Sequence, residues 1–249
     1  MVHLLPLPGS PQYAGDLRAV REAAFRDAAA LAEGGVHGLM LENFGDVPFF
    51  PGRVPAYVVS HMTAIAQAVR GRFDLPLGIN VLRNDGRSAL AVAHAADAQF
   101  IRVNVLCGTR VADQGILHGI AHELLRERKM LGAETIKILA DVDVKHSAPL
   151  APRPLADEIE DTIHRGLADG LIITGSGTGK ATALEKVRAA KAVAHSTPIF
   201  VGSGVTADSI ADYLPFADGF IVGTAFKRDG LSTNPVEPGR VRALLTRVR

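Results

Sequence analysis

The sequence repeats one unit eight times: a short apolar run, a cluster of Gly, Pro, Asn or Asp, and a longer segment of helical period. The apolar runs, which predict strands, are residues 2–7, 38–43, 76–82, 100–106, 135–144, 170–175, 198–202 and 219–224. The intervening segments, which predict helices, are 15–33, 55–72, 86–96, 115–131, 154–168, 180–194, 206–213 and 235–248. With no linker-like tract between the units, the pattern predicts an α/β protein with a single (β/α)8 barrel domain, a TIM barrel, over residues 1–249. A doubly wound open sheet is the alternative.

Composition excludes several classes of protein. The chain has 249 residues, 47% of them hydrophobic, which is enough for a large core. Its 27 basic and 26 acidic residues form no block of one sign, so nucleic acid is not expected as a partner. Cys107 is the one cysteine, which excludes an internal disulfide and fits a reducing cytoplasm. Because no run of about 18 apolar residues occurs, we expect a cytoplasmic protein that is not integral to a membrane.

The fifth predicted strand has one apolar and one charged face. Its even-numbered residues from 136 to 144 are all apolar, whereas the odd-numbered positions include Asp141, Asp143 and Lys145. The apolar face must contact the helices, so the charged face is predicted to point into the barrel. Barrel enzymes carry their chemistry at the C-terminal ends of the strands, which makes these three residues candidate catalytic groups. A buried polar layer without catalytic function is the alternative.

The same alternation extends the candidate catalytic set to neighbouring strands. It adds Glu42 at the end of the second strand, Asn80 on the third and Asn104 on the fourth. Arg102 is interpreted as the partner of carboxylates in an ion-pair network. His3, near the start of the first strand, is interpreted as a packed core histidine.

The glycine-rich stretch "TGSGTGK" at 174–180 resembles a nucleotide-binding P-loop but fails the pattern at both ends. Position 174, where the first glycine belongs, is Thr, and Ala181 stands where Ser or Thr must follow the lysine. The stretch is instead predicted to be the loop after the sixth strand, with Thr174 and Ser176 as hydroxyl donors on the rim of the site.

Phosphate binding is predicted at the seventh and eighth strands. "FVGSGV" ends the seventh strand with Gly202, Ser203 and Gly204, and "IVGTAFK" ends the eighth with Gly223 and Thr224. Barrels commonly bind phosphate between these two loops, where glycines allow backbone N–H groups to approach the oxygens. The alternative is that the glycines only permit tight turns.

Several longer motifs carry a family resemblance. "HLLPLPGSP", "GVHGLMLENFGDVPF", "PLGINVLRND", "FIRVNV" followed by "DQG", "ADVDVKHSAPL" and "GSGTGK" together resemble the BtpA family, named for a photosystem I biogenesis protein. The resemblance runs over nearly the whole chain and implies a TIM barrel related to ribulose-phosphate-binding barrels. It brings no settled reaction. It adds weight, without individual roles, to Glu42, Asn43, Asp46, Asn80, Asn84, Asp85, Asn104, Asp113, Gln114, Asp141, Asp143, Lys145 and His146 as site residues.

The leading hypothesis is an enzyme that acts on a small phosphorylated sugar or nucleoside-like metabolite by isomerisation, lyase chemistry or bond cleavage. Glu42 and Asp141 are the predicted general acid and base, since paired carboxylates in different surroundings hold different protonation states. Lys145 is a candidate to stabilise an oxyanion or to attack a carbonyl. Schiff-base chemistry is disfavoured because Asp141 and Asp143 would keep the ammonium charged.

Two alternatives stay open. In a metal-assisted variant, Glu42, Asp141 and Asp143, with His146, bind Mg²⁺ or Mn²⁺, which prefer oxygen ligands. The second alternative is a non-catalytic assembly or stability factor for a protein complex. Its partner surface would be the aromatic loop 44–57, which is equally interpreted as an active-site lid or as the contact of a homo-oligomer.

Overall fold

A computed structural model describes residues 1–248 and shows a curled sheet of eight parallel strands. The strands, in spatial order, are β1 Val2–His3, β2 Leu39–Glu42, β3 Leu77–Asn80, β4 Phe100–Val103, β7 Lys137–Val142, β9 Gly170–Ile173, β10 Ile199–Val201 and β11 Gly219–Phe220. The two edges of the sheet meet where the amino group of Met1 donates a hydrogen bond to the Val222 carbonyl, at 2.9 Å. The predicted (β/α)8 barrel is confirmed, and the open-sheet alternative is wrong.

Helices follow the strands as predicted. They are α1 Leu17–Gly34, α2 Ala56–Arg70, α3 Gly86–Ala95, α4 Ala121–Met130, α5 Leu155–Glu160, α6 Leu184–Val193, α7 Ile210–Tyr213 and α8 Pro238–Leu245. The first begins at Asp16, whose carboxylate accepts a hydrogen bond from the Ala19 N–H at 3.0 Å, and ends at Gly35 in the left-handed conformation. In residues 1–248, no helix combines the length and apolar character needed to cross a membrane.

A small antiparallel sheet covers part of the barrel mouth and was not predicted. It contains β5 Thr109–Ala112, β6 Gly115–His118 and β8 Ser147–Pro149, in the order β6-β5-β8. The prediction of a helix from residue 115 is therefore wrong for 115–118. Gly115, with φ of 97°, ends a tight turn that returns the chain along β5, and long-range pairing with β8 overrides the local helical pattern.

The barrel interior has an apolar floor and a polar upper layer. Met40, Phe100, Leu139, Phe200 and Phe220 line an apolar cavity of about 860 Å³ at the N-terminal ends of the strands. Gly78 makes room for its neighbour there, because a Cβ at this position would lie 2.1 Å from the Phe100 ring. Two residues further along β2, β3, β4 and β7, the inward-facing residues are polar, and this change in polarity places the candidate site at the C-terminal end.

Candidate functional site

The strand register aligns four polar side chains across the barrel interior. His3 pairs with Glu42, Glu42 with Asn80, and Asn80 with Arg102, each on an adjacent strand. Because residues at the same register position face the same side of a parallel sheet, all four point inward. The prediction that Glu42, Asn80 and Arg102 share the inner face therefore agrees with the register, and His3 joins them.

Asp141 is held in a closed ion-pair cluster. Arg102 donates to both of its oxygens, with Nη2–Oδ1 at 3.0 Å, and Asn104 donates from Nδ2 to Oδ2 at 2.5 Å. The Arg102 and Asp141 side chains are only 2% and 0% exposed. Burial by itself lowers the pKa of Arg102, but the charges of Asp141 and Glu42 outweigh it and raise the pKa. Arg102 is thus the ion-pair partner that the sequence indicated, and Asp141 has little freedom to exchange protons with a ligand.

Glu42 faces open space on one side and the protein on the other. Its Oε2 accepts a hydrogen bond from Asn80 Nδ2 at 2.6 Å. Its Oε1 lies 3.8 Å from His3 Nε2. The His3 Nδ1 is 3.2 Å from the Ser232 carbonyl, which only accepts, so Nδ1 carries the proton and Nε2 presents a lone pair. Burial and the charge of Lys227 lower the pKa of His3 to about 3, which keeps the ring neutral.

Asp143 is not beside Asp141 and Lys145, which corrects the prediction from strand alternation. The strand ends at Val142, and Asp143 adopts a φ of 55°, so the alternation of side chains stops there. Its carboxylate turns to Arg110 Nη1 at 2.7 Å and Lys186 Nζ at 2.6 Å. These contacts tie the chain after β7 to β5 and α6, a structural role outside the barrel mouth.

Lys145 lines the cavities at the barrel mouth without a carboxylate partner in the described chain. Within residues 1–248, no acidic group lies within ion-pair distance of its Nζ. Burial, followed by the charge of Arg102, lowers the pKa of Lys145 below its ordinary value. The sequence argued against a reactive Lys145 amine because Asp141 and Asp143 would keep it charged. In the structure both carboxylates are instead paired with other basic side chains.

A cavity of about 540 Å³ connects the polar layer to the glycine loops. His3, Glu42, Arg102 and Lys145 line one end of it. The other end is lined by residues 202–208, which follow β10, and 223–225, which follow β11. The predicted phosphate residues Gly202, Ser203, Gly204, Gly223 and Thr224 are thus all brought to the same cavity as Glu42 and Lys145.

The glycine loops combine tight packing with free backbone donors. A Cβ on Gly204, whose φ is 66°, would lie 2.3 Å from the Lys180 carbonyl oxygen, so the loop after β9 packs directly on this residue. In the described part of the chain, the backbone N–H groups of Ser203, Gly204 and Gly223 have no protein acceptor. Tight packing accounts for the glycine at 204, and the free N–H groups suit an anion.

Thr174 and Ser176 do not line this cavity. The Thr174 hydroxyl is buried and accepts a hydrogen bond from the Lys145 N–H at 3.2 Å, so it holds the backbone of the lysine. Ser176 is exposed, and its carbonyl accepts from the His146 N–H at 3.2 Å. Their predicted place on the rim as anion donors is not supported, whereas Thr178 of the same loop does line the cavity.

A second cavity of about 460 Å³ adjoins the first. Glu42, Arg102, Lys145 and Thr178 line both cavities and form their common wall. The far side of the second cavity is lined by Phe44, Val47, Phe49, Leu82, Arg83, Asn104, Asp113, Gln114 and His146. The two cavities together form an elongated site that runs from the glycine loops to the small antiparallel sheet.

The aromatic loop 44–57 forms part of the wall of this site. The Phe44 ring stacks on His3 with centroids 4.2 Å apart and an interplanar angle of 13°, and Phe49 lines the second cavity. Phe50 and Tyr57 are 46% and 42% exposed. The half of the loop that carries Phe44 and Phe49 therefore has the position of an active-site wall or lid.

Several residues singled out by the family resemblance hold loops in place. Asn43 Oδ1 accepts from the Leu82 N–H at 2.7 Å, and Asp46 Oδ1 accepts from the Leu7 N–H at 2.7 Å. Asn84 Oδ1 accepts from the Val105 N–H at 2.7 Å. Asp85 caps α3 and also accepts from the Val54 N–H at 2.8 Å. Asn43, Asp46, Asn84 and Asp85 position the chain around the site without lining either cavity.

Two further residues line the second cavity: Arg83, to which the sequence assigned no role, and His146, which was considered only as a metal ligand. Arg83 is buried and donates from Nη2 to the Lys145 carbonyl at 2.5 Å. His146 accepts from the Thr178 N–H through Nε2 at 3.1 Å, which joins the loops after β7 and β9. Arg83 lies inside the motif "PLGINVLRND", and that motif was its only signal in the sequence.

The three carboxylates of the metal hypothesis do not converge. Asp141 is bound by Arg102 and Asn104, and Asp143 is turned towards Arg110 and Lys186. Across residues 1–248, no group of three or more His, Cys, Asp or Glu side chains is placed to hold a metal ion. Of the proposed ligand set, Glu42 lines both cavities and His146 lines the second, whereas Asp141 and Asp143 line neither.

Comparisons with known proteins agree with the motifs. The model described as "BtpA family" matches residues 1–249. The chain is 48% identical over 245 residues to the photosystem I biogenesis protein BtpA of Synechocystis, covering 98% of this chain and 85% of that protein. It is also 48% identical over 245 residues to an uncharacterized protein of Thermococcus kodakarensis, with coverages of 98% and 92%.

Solved structures with a similar fold are barrel enzymes. Orotidine 5′-phosphate decarboxylase from Pyrococcus horikoshii superimposes with a TM-score of 0.56 and 14% identity over 92% of this chain and 94% of the other. N-(5′-phosphoribosyl)anthranilate isomerase from Pyrococcus furiosus gives a TM-score of 0.56 and 13% identity over 89% and 94%. At these identities the similarity establishes the fold alone.

Proposed function

The chain belongs to the BtpA family, and from that premise we propose that it is an enzyme acting on a small phosphorylated sugar or nucleoside-like metabolite. The observation that supports this proposal is the single cavity that joins the glycine loops after β10 and β11 to Glu42 and Lys145. A cavity with anion donors at one end and titratable groups at the other fits a phosphorylated substrate held by one end and transformed at the other.

The phosphate is proposed to bind at Gly202–Gly204 and Gly223–Thr224. In residues 1–248 the N–H groups of Ser203, Gly204 and Gly223 have no protein acceptor, which leaves them as donors for phosphate oxygens. Lys145 at the other end adds positive charge, and that charge favours an anionic substrate.

Glu42 and Lys145 are proposed as the acid–base pair, in place of the pair Glu42 and Asp141 suggested by the sequence. Both line the cavity, whereas Asp141 is enclosed by Arg102 and Asn104. Burial, followed by the charge of Arg102, lowers the pKa of Lys145, and this is the direction of shift that acid–base catalysis by a lysine requires. Glu42, held by Asn80, is placed to exchange a proton with the substrate, which fits isomerisation, lyase chemistry or bond cleavage.

The first test is a thermal-shift and calorimetric titration with ribose 5-phosphate, ribulose 5-phosphate and inorganic phosphate. A ligand that binds only the folded state raises the melting temperature in a saturable way. Thr224→Asp places a carboxylate in the anion site and is expected to abolish the shift. Thr224→Asn, of nearly the same size and without charge, is the matched control and should retain binding.

Turnover is tested on any ligand that binds, by ³¹P NMR of the ligand incubated with the protein. The wild type should convert the ligand, whereas Glu42→Gln and Lys145→Met should bind it without converting it. A bound ligand that the wild type leaves unchanged would favour the assembly-factor hypothesis, suggested by the name of the Synechocystis relative. Absence of binding by every phosphorylated compound would refute the phosphate site itself.

A further inference from the structure

Three residues that line the second cavity carry buried polar atoms without a hydrogen-bond partner in residues 1–248. Among residues 1–248, buried side-chain polar atoms without a hydrogen-bond partner include Arg83 Nε, Asn104 Oδ1 and Gln114 Oε1. All three residues line the second cavity. Buried polar groups are almost always hydrogen-bonded in native proteins, so a cluster of free ones in one cavity indicates a missing partner.

The identity of the free atoms is fixed by their neighbours. Asn104 donates from Nδ2 to Asp141 at 2.5 Å, and Gln114 donates from Nε2 to Asp113 at 2.5 Å. A carboxylate accepts only from the amide nitrogen, so in both side chains the oxygen is the atom left free. With the Arg83 Nε–H, residues of the cavity wall therefore carry two acceptors and one donor without a protein partner in residues 1–248, and a ligand with both donor and acceptor groups would match them.

The remaining walls of the second cavity are apolar and include flat rings. Phe44, Val47, Phe49 and Leu82 line it together with the polar residues. The Phe44 ring is held in orientation by its stacking on His3. Such a wall suits a planar ring that has polar atoms on its rim. The aromatic side chains stack on the faces of the ring, and the hydrogen-bonding groups contact its polar edge.

The two cavities meet at Glu42, Arg102, Lys145 and Thr178. A substrate whose phosphate lies at the glycine loops would therefore extend past Glu42 and Lys145 into the second cavity. We propose that the second cavity binds a planar nitrogen heterocycle joined to the sugar phosphate, so that the substrate class is a nucleoside 5′-monophosphate or a related phosphoribosyl N-glycoside. This inference rests on the proposed function and specifies its substrate.

The experiment compares dissociation constants, measured by calorimetry, for ribose 5-phosphate and for UMP, CMP, AMP, GMP and IMP. At least one nucleotide is expected to bind about tenfold or more tightly than ribose 5-phosphate. This is the gain in affinity that one stacking contact between a base and an aromatic side chain provides. Phe49→Ala should remove most of that preference and leave the affinity for ribose 5-phosphate unchanged. Phe50→Ala, at the exposed neighbour that does not line the cavity, is the matched control and should change neither.

Gln114→Met tests the polar edge without altering the aromatic loop. It removes the free acceptor at similar length, and nucleotides are expected to bind more weakly while ribose 5-phosphate does not.

The outcomes separate the two proposals. Binding of ribose 5-phosphate with no nucleotide preference would overturn the inference about the second cavity and leave the proposed function standing. A nucleotide preference that survives both Phe49→Ala and Gln114→Met would place the ring elsewhere and also overturn the inference. If neither ribose 5-phosphate nor any nucleotide binds, the proposed function falls and this inference with it.

Discussion

Asp141→Asn is the substitution that best tests whether the Asp141 side chain stabilises the fold or transfers protons. The carboxylate receives hydrogen bonds from Arg102 through Nε at 3.3 Å and Nη2 at 3.0 Å, and from Asn104 at 2.5 Å. Asn keeps the size of the side chain and removes its charge. The Arg102 guanidinium, 2% exposed, would then remain buried without a counter-charge from its closest partner.

The expected cost follows from that burial. Removing one partner of a buried ion pair typically destabilises a protein by about 3–5 kcal/mol, because the remaining charge is uncompensated. For a chain of this size each 1 kcal/mol lowers the melting temperature by about 2–4 °C, so the variant should melt about 6–20 °C lower. Exposed ion pairs are worth only about 0–1 kcal/mol.

Glu33→Gln is the matched control for the assay. Glu33 pairs with Arg242 at 3.0 Å, the same distance as Arg102–Asp141, but the two side chains are 54–65% exposed. Free energies of unfolding for both variants are measured by urea titration and calorimetry. If Asp141→Asn costs no more than Glu33→Gln, the ion pair does not carry the stability of the barrel mouth, and Asp141 is again available as a catalytic residue.

Three further predictions follow from the site. The pKa of His3 is lowered from 6.5 to about 3 in the folded protein, so between these pH values the unfolded chain binds a proton that the folded chain does not, and stability falls as the pH decreases. His3→Phe should reduce the dependence of the unfolding free energy on pH by up to about 1.4 kcal/mol per pH unit. Urea unfolding at about pH 4.5 and about pH 6.5 measures this difference. Gly204→Ala should lose more stability and more phosphate affinity than Gly108→Ala. Both glycines have a positive φ, but of the two only Gly204 packs against a neighbouring backbone, that of Lys180. Equal losses in the two variants would contradict the packing argument. Ligand binding should be the same in EDTA as in Mg²⁺, since the carboxylates do not converge, and a loss in EDTA restored by one cation would revive the metal hypothesis.

The barrel was predictable because its signal is periodic and repeated. Every strand of the barrel was located to within a few residues, since most of them are buried on both faces and read as short apolar runs. The sheet of β5, β6 and β8 was not predictable in the same way. Residues 115–118 pair with 109–112 across a turn, and β5 pairs with β8 from a distant part of the chain, so their structure depends on contacts that local pattern does not encode.

The candidate site was predictable only as far as the strands extend. Glu42, Asn80, Arg102 and Asp141 lie within or at the ends of strands, where alternation assigns each side chain to a face. Asp143 lies one residue beyond β7, where a single left-handed residue redirects the chain. Beyond the end of a strand, the alternation of side chains between the two faces no longer predicts where a side chain points. Thr174 also lies just beyond its strand, and its hydroxyl accepts a hydrogen bond from the Lys145 N–H.

Under the proposed function, the Arg102–Asp141 pair acts by setting the charges around Glu42 and Lys145. Arg102 is neutralised by Asp141, and His3 is neutral. Glu42 and Lys145 line the same cavity, yet they form no ion pair within 4.0 Å in the described chain. Glu42 and Asp141 raise the pKa of Lys145 by their charge, but burial and the charge of Arg102 outweigh them. With Asp141 bound to Arg102, Glu42 and Lys145 remain as separate groups on the wall of the cavity, and the proposed acid–base pair rests on that arrangement.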